Sequence, residues 1–226
     1  MNIQTNLMKK PKSTYLNGRN LKLTSATSMA VLLAACGGSQ NPNAGLNEIR
    51  GDDLANTLTG TPEADVIFGL GGNDTITGLA SNDRIFGGDG DDLITGGDGD
   101  DELFGGNGND IFYGGAGVDK IDGGDGSDWL YYSLAPSGIA ANLELGEGQF
   151  GIALGDTYVS IENLVGSNFN DGLIGNDLVN ALYGEGGNDL LVGRGGDDLL
   201  VGGSGNDRLE GQQGADTLYG GSELTF

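Results

Sequence analysis

The feature that most constrains this chain is a nine-residue period that runs without insertion from Gly87 to Tyr131. Its successive units are GGDGDDLIT, GGDGDDELF, GGNGNDIFY, GGAGVDKID and GGDGSDWLY. Glycine holds positions 1, 2 and 4, aspartate position 6, and a large apolar residue position 8. The frame extends backwards in weaker form through units starting at Gly78, Gly69, Gly60 and Gly51, where Asn56 replaces the aspartate. It breaks at Tyr132 and resumes at Gly166, Gly175, Gly184, Gly193, Gly202 and Gly211, closing on GGSELTF. Short units in fixed register cannot bury an apolar face alone, so they stack on one another as a solenoid.

Composition narrows the choice further. With 46 glycines in 226 residues, a conventional packed core is excluded, and the absence of an every-third glycine excludes collagen. Charge is equally one-sided. All 33 acidic residues lie beyond Cys36, against five basic ones there (Arg50, Arg84, Lys120, Arg194 and Arg208), leaving a net charge of −28 on that part. Nucleic acid and anionic membrane surfaces would repel such a body, and it resists compaction unless something cationic neutralises it.

Within a unit, glycines at 1, 2 and 4 suit a six-residue turn, and the last three residues suit a minimal strand with position 8 pointing inward. The inward set is Ile67, Ile76, Ile85, Ile94, Leu103, Phe112, Ile121 and Leu130, then Leu173, Leu182, Leu191, Leu200, Leu209 and Leu218. An isolated Gly-Asp-Gly is ordinarily a solvated turn. Aspartate kept at position 6 through nearly every unit is instead a set of ligands.

The repeat resembles the glycine- and aspartate-rich nonapeptide of the RTX (haemolysin-type calcium-binding) family, GGxGxDxUx with U large and apolar, one of the solenoid-forming repeat classes. The resemblance covers about two thirds of the chain. It implies an all-β fold, a parallel β-roll with two units per coil, so that like positions on one edge recur every 18 residues. Asp65, Asp83, Asp101 and Asp119 then stack on one edge, and Asp74, Asp92, Asp110 and Asp128 on the other. In the second block Asp171, Asp189 and Asp207 share an edge, opposite Asn180, Asp198 and Asp216.

Carboxylates stacked about 4.8 Å apart repel by roughly 1 kcal/mol in water and about 3 kcal/mol at an effective dielectric near 20. A hard divalent cation between turns removes that cost. Calcium accepts six to eight oxygens in loose geometry, whereas magnesium needs a tight octahedron and zinc prefers nitrogen or sulfur. The thirteen aspartates are therefore the expected metal ligands, with multiple calcium ions as cofactor and dissociation constants of about 10⁻⁴ to 10⁻³ M. Asn56 and Asn180 lower the ligand charge, and the units at Gly60 and Gly78 lack the second and fourth glycines, so these turns are expected to be ion-free caps.

The remaining segments divide the chain. Residues 1–36 read as a disordered leader: a basic start, a short apolar run, and Leu33-Ala34-Ala35-Cys36, which resembles a bacterial lipobox with Cys36 as the lipidated residue. Residues 37–50 read as a flexible tether, 51–131 as the first array and 166–226 as the second. Between the arrays, 132–165 is expected to form strands over Ile139–Leu145, Phe150–Leu154 and Tyr158–Leu164, and to carry the sheet from one roll to the next. Export of RTX proteins typically uses a C-terminal signal, whereas here only Glu223–Phe226 trail the repeats, which shifts weight to the N-terminal signal.

The functional expectation is a calcium-binding β-roll of the bacterial cell surface or extracellular space, with lipid through Cys36 and a surface glycan or protein as partners. An alternative is a calcium-dependent adhesin or carbohydrate-binding protein using the outward residues Tyr113, Tyr131, Tyr183 and Tyr219; a remoter one is a non-catalytic fragment of a larger exoenzyme. Catalysis is not expected, since the chain has no histidine for HExxH or Ser-His-Asp chemistry and a single cysteine, which also rules out an intrachain disulfide.

Overall fold

The computed structural model describes residues 46–221. The leader and Cys36 lie outside the described residues. The first block runs through β1 (Asn47–Arg50), β2 (Thr57–Thr59), β3 (Asp65–Gly71), β4 (Thr75–Ala80), β5 (Arg84–Asp89) and β6 (Leu93–Asp98). It continues with β7 (Glu102–Asn107), β8 (Ile111–Ala116), β9 (Lys120–Asp125) and β10 (Trp129–Tyr131). Strands alternate between two parallel sheets, so each coil spends one nine-residue unit on each side. The chain is an all-β parallel roll.

Register follows the 18-residue rule. Arg84 pairs with Glu102, Ile85 with Leu103 and Phe86 with Phe104; the ladder skips Gly87 and Gly105, then resumes with Gly88 on Gly106 and Asp89 on Asn107. The full-length strands therefore hold six residues rather than the three expected. The strand runs on through glycines 1 and 2, the second of which pairs in the ladder, and the turn proper shrinks to positions 4–6. Gly88, at φ +120°, needs this freedom doubly, because a Cβ there would run into the carbonyl of Leu70 one coil back.

Position 8 is the core. Ile67, Ile76, Ile85, Ile94, Leu103, Phe112, Leu130, Leu173, Leu182, Leu191 and Leu200 are fully buried, and Ile121 nearly so. β-Branched and aromatic residues suit this one-deep stack, where each side chain packs on its equivalents above and below. Leu209 is partly buried, but Leu218, expected inside, is 43% exposed because β20, which carries it, is the last described strand. At the other end, Asn47–Arg50 is not part of a tether. It forms β1 on β3, with Ile49 laid against the core.

The interruption supplies β11 (Ala140–Asn142), β12 (Glu147–Phe150), β13 (Thr157–Val159) and β14 (Asn163–Val165). Phe150–Leu154 is largely a 3-10 turn (Gly151–Ala153) instead of a strand, and Tyr158–Leu164 breaks into two strands of different sheets, with Ser160 at φ +52° between them. The second block follows as β15 (Gly172–Ile174), β16 (Ala181–Tyr183), β17 (Leu190–Gly195), β18 (Leu199–Val201), β19 (Arg208–Gln213) and β20 (Thr217–Tyr219). One sheet has 11 strands in the order β1-β3-β5-β7-β9-β13-β12-β11-β15-β17-β19, the other nine in the order β2-β4-β6-β8-β10-β14-β16-β18-β20. Both sheets thus pass through the interruption, where three strands on one side face one on the other.

The two outer faces differ in chemistry. All five described basic residues (Arg50, Arg84, Lys120, Arg194 and Arg208) sit on the 11-stranded sheet, whose outer face also stacks Phe68, Phe86 and Phe104 with ring centroids 5.0 and 4.8 Å apart. Apart from Asp98 at the end of β6, strands of the nine-stranded sheet carry no charged residue. Their outer face shows threonines toward β2 and an aromatic cluster at mid-length, with Trp129 5.7 Å from Tyr183 and Tyr131 5.3 Å from Tyr113.

Candidate metal centres

Position 6 sits where the short turn re-enters the sheet, and its side chain folds back into the turn. Along one edge the backbone N–H of Asp65 donates to Asp83 Oδ1 at 2.8 Å, that of Asp83 to Asp101 at 2.8 Å and that of Asp101 to Asp119 at 3.0 Å. Along the other, Asp74 donates to Asp92, Asp92 to Asp110 and Asp110 to Asp128 at 2.7–2.8 Å. In the second block Asp171 donates to Asp189 and Asp189 to Asp207, opposite Asn180 to Asp198 and Asp198 to Asp216. The two ladders the spacing implied are therefore joined by hydrogen bonds through Oδ1.

The second carboxylate oxygen has a different fate. Oδ2 of Asp74, Asp83, Asp92, Asp101, Asp110, Asp119, Asp128, Asp189, Asp198 and Asp207 is buried with no hydrogen-bond partner. Each is turned toward the glycine that opens its own unit. A Cβ on Gly96 would collide with Asp101 Oδ2 and stand 2.6 Å from the carbonyl oxygen of Gly114, 18 residues on. Gly69, Gly78, Gly87 and Gly105 repeat this corner, each with its own aspartate and the glycine carbonyl of the next coil. Gly184 and Gly193 do so in the second block. Position 1 is glycine because a carboxylate and a carbonyl from adjacent coils fill its side-chain space.

Not every turn is built this way. Thr61 N–H donates to Asp65 Oδ2 at 2.5 Å, and Ser167 N–H to Asp171 Oδ2 at 2.5 Å, so these two carboxylates are satisfied from within their own turns. Asp52 and Asn176 donate likewise to Asn56 and Asn180. The remaining units turn position 2 to positive φ, whether it is glycine or, as at Leu70, Leu79, Glu185, Arg194 and Gln212, a residue with a side chain. The unit at Gly78 is one of these, with Asp83 Oδ2 left open, so it does not share the self-closed turn of Gly60 with which the sequence grouped it.

A family model for the RTX calcium-binding nonapeptide repeat, in four copies, matches residues 50–85, 68–103, 77–112, 95–130, 165–200, 174–209 and 192–223, together more than half the chain. The chain belongs to this RTX repeat family. No curated protein matches it closely enough to count as a relative.

The electrostatics of the RTX turns fit a cation. Burial, reinforced by neighbouring carboxylates, pushes Asp92, Asp101, Asp110, Asp128 and Asp189 up to about 7, against the pull of the backbone N–H that each accepts. Asp83 and Asp119 rise to about 6 for the same leading reason, and Asp74, Asp171 and Asp198 are raised. A buried carboxylate oxygen without a donor requires either a proton or a positive charge. Among the described residues no three acidic side chains gather at one point. Any ion must therefore be shared between carboxylates and backbone carbonyls, an all-oxygen set that suits calcium. The RTX roll binds calcium at multiple sites.

Two further carboxylates join the ladders from outside the repeats. Asp119 N–H donates to Asp156 Oδ1 at 2.9 Å and Asp128 N–H to Glu162 Oε2 at 2.9 Å, across 37 and 34 residues. Asp156 Oδ2 accepts from Tyr132 Oη at 2.9 Å, and Tyr132 and Tyr158 hydroxyls stand 2.6 Å apart. Sequence reasoning missed all four residues, since their spacing departs from 18; the one signal was an acid beside a short β-run.

Proposed function

We propose that this RTX roll is a calcium-dependent structural or interaction module of the bacterial cell surface or extracellular space, folded by the ions it holds. The observation that carries the reading is the set of buried, partnerless Oδ2 atoms, most of which face a carbonyl of the next coil. Ligands on this reading are Asp74, Asp83, Asp92, Asp101, Asp110, Asp119, Asp128, Asp189, Asp198 and Asp207, with Asp216 at the end of its ladder. Asp65 and Asp171 stand apart, because hydrogen bonds already occupy both of their oxygens. Site formation and folding are then one equilibrium.

Location outside the cytoplasm is supported by the family, whose repeats are typical of secreted and surface bacterial proteins, and by the Leu33–Cys36 motif. Membrane fractionation of the wild type against Cys36→Ala tests lipidation; equal release of both refutes it. The absence of histidine supports a non-catalytic role. The central test is far-UV circular dichroism of the full chain during calcium titration. A coil-to-β transition with calcium but not magnesium, weakened in Asp92→Asn/Asp101→Asn/Asp110→Asn, is expected. An unchanged spectrum would reduce the aspartates to ordinary turn residues.

A second reading is favoured by the uncharged outer face of the nine-stranded sheet. On a chain with net charge −23, a flat surface of threonine, Tyr113, Trp129, Tyr131 and Tyr183 suits a neutral glycan, whose rings stack on aromatic side chains. Binding to a glycan array in calcium, abolished in Trp129→Ala/Tyr183→Ala, supports it; binding unaffected by these changes refutes it.

A further inference from the structure

We propose a calcium site at the seam between the first roll and the interruption, made by Asp128 together with Ser160 and Glu162, two residues outside every repeat. It rests on the calcium reading of the repeat turns and extends it to residues that no nonapeptide supplies. The side chain of Asp128 is completely buried and its Oδ2 has no hydrogen-bond partner. That oxygen is aimed at Gly123, where the carbonyl of Ser160 takes the place the next coil's glycine carbonyl holds elsewhere. A Cβ on Gly123 would collide with both oxygens. Ser160 delivers its carbonyl by adopting φ +52°, a left-handed conformation unusual for serine.

Glu162 supplies the second charge. Its carboxylate accepts the N–H of Asp128 at 2.9 Å, as the following aspartate does within the repeat blocks, and its repulsion adds to the burial that makes Asp128 a weaker acid. Three donors from the interruption, the N–H groups of Glu162 and Asn163 and the side-chain amide of Asn163, converge on the carbonyl of Asp128 at 3.0–3.3 Å and hold the two segments in register. The corner is thus preformed, with one oxygen from each segment and two negative charges, and among the described residues no lysine or arginine pairs with Asp128 or Glu162.

The opposite edge of the same seam lacks this corner, although Asp119 Oδ2 is buried and partnerless there too. The three atoms nearest a Cβ on Gly114 all belong to Asp119, and none is a carbonyl of a following coil, so on this reading Asp119 serves an ion only with the coil before it. Asp156, the incoming carboxylate, spends its second oxygen on the Tyr132 hydroxyl. The interruption therefore continues the ion ladder on one edge and ends it with a tyrosine pair on the other.

Crystals of the full chain grown in saturating calcium test this directly. Expected is an anomalous peak between Asp128 Oδ2 and the Ser160 carbonyl, with oxygen distances of about 2.3–2.6 Å, and none between Asp119 and Asp156. Water or empty density at the seam, with ions present beside Asp92 and Asp101, would overturn the proposal while leaving the repeat reading intact. No ion at any turn would instead refute the repeat reading itself, and the seam site with it. In solution, Glu162→Gln should raise the calcium concentration at half-folding at least two-fold, and Asp156→Asn should leave it within error. Equal responses of the two variants would overturn the assignment of Glu162.

Discussion

Removing calcium exposes what the turns cost when nothing neutralises them. Asp92, Asp101, Asp110, Asp128 and Asp189 rise from an ordinary value near 3.8 to about 7 when no metal is counted. At about 1.4 kcal/mol per tenfold change, each ionised carboxylate would penalise the metal-free roll by about 4 kcal/mol. The turn edges border water, so about 1–2 kcal/mol each is a fairer figure, or about 5–10 kcal/mol for the five. That matches the whole stability of a typical domain. The sign follows from linkage. A carboxylate whose folded value is raised penalises the fold fully above that value, and the penalty fades as pH falls toward the unfolded value. Calcium-stripped protein should therefore be largely unfolded at about pH 8 and should gain β signal in far-UV circular dichroism as pH falls to about 5, the reverse of ordinary acid denaturation. In excess calcium the trend should invert, since protons then compete with the ion. A metal-free chain equally folded at about pH 8 and pH 5 would refute the reasoning.

Further outcomes follow from single positions. Asp101→Asn keeps an acceptor for the Asp83 N–H but loses the charged Oδ2, and should raise the calcium midpoint several-fold, whereas Asp65→Asn should barely move it. Gly96→Ala pushes a methyl group onto Asp101 and the Gly114 carbonyl, and should cost about 2 kcal/mol or more in a calcium-saturated thermal melt. Phe112→Ala empties the largest fully buried side chain and should cost about 3–5 kcal/mol by denaturant titration in calcium. Leu79→Gly relieves a φ of +93° at a residue 43% exposed, and should stabilise by about 0.5–1 kcal/mol in the same assay.

The period, the inward residues and both aspartate ladders were legible because all three depend on spacing alone. Strand length was not, since Gly87 and Gly88 look like turn residues although the second of them pairs in the ladder. Nor was the split among position-6 aspartates. Asp65 and Asp83 have the same place in their units, and what separates them is the φ of the residue at position 2, Thr61 against Leu79, which composition does not fix. The interruption was read as strands, correctly at its ends, but in Phe150–Leu154 only Phe150 pairs, with Ala140, and Gly151–Ala153 turns into a 3-10 helix despite the apolar content of a strand. Asp156 and Glu162 reach the ladders through tertiary placement, and a sequence period cannot show that.

The position-6 N–H to carboxylate bonds along each edge all point to the following coil, while position-5 N–H groups donate back to the preceding one, as Asn109 does to Asp91. The N–H of Asp65 is satisfied by Asp83, that of Asp83 by Asp101, and the corner beside Gly96 is completed by Gly114. Each carboxylate corner thus waits for the coil that follows it in the chain. Any process that feeds this polypeptide out from its N-terminus, synthesis on the ribosome included, leaves the newest turn unfinished until 18 more residues have emerged. On the proposed reading, assembly from that end would lag the growing chain by one coil, and withholding calcium would halt it at the leading edge.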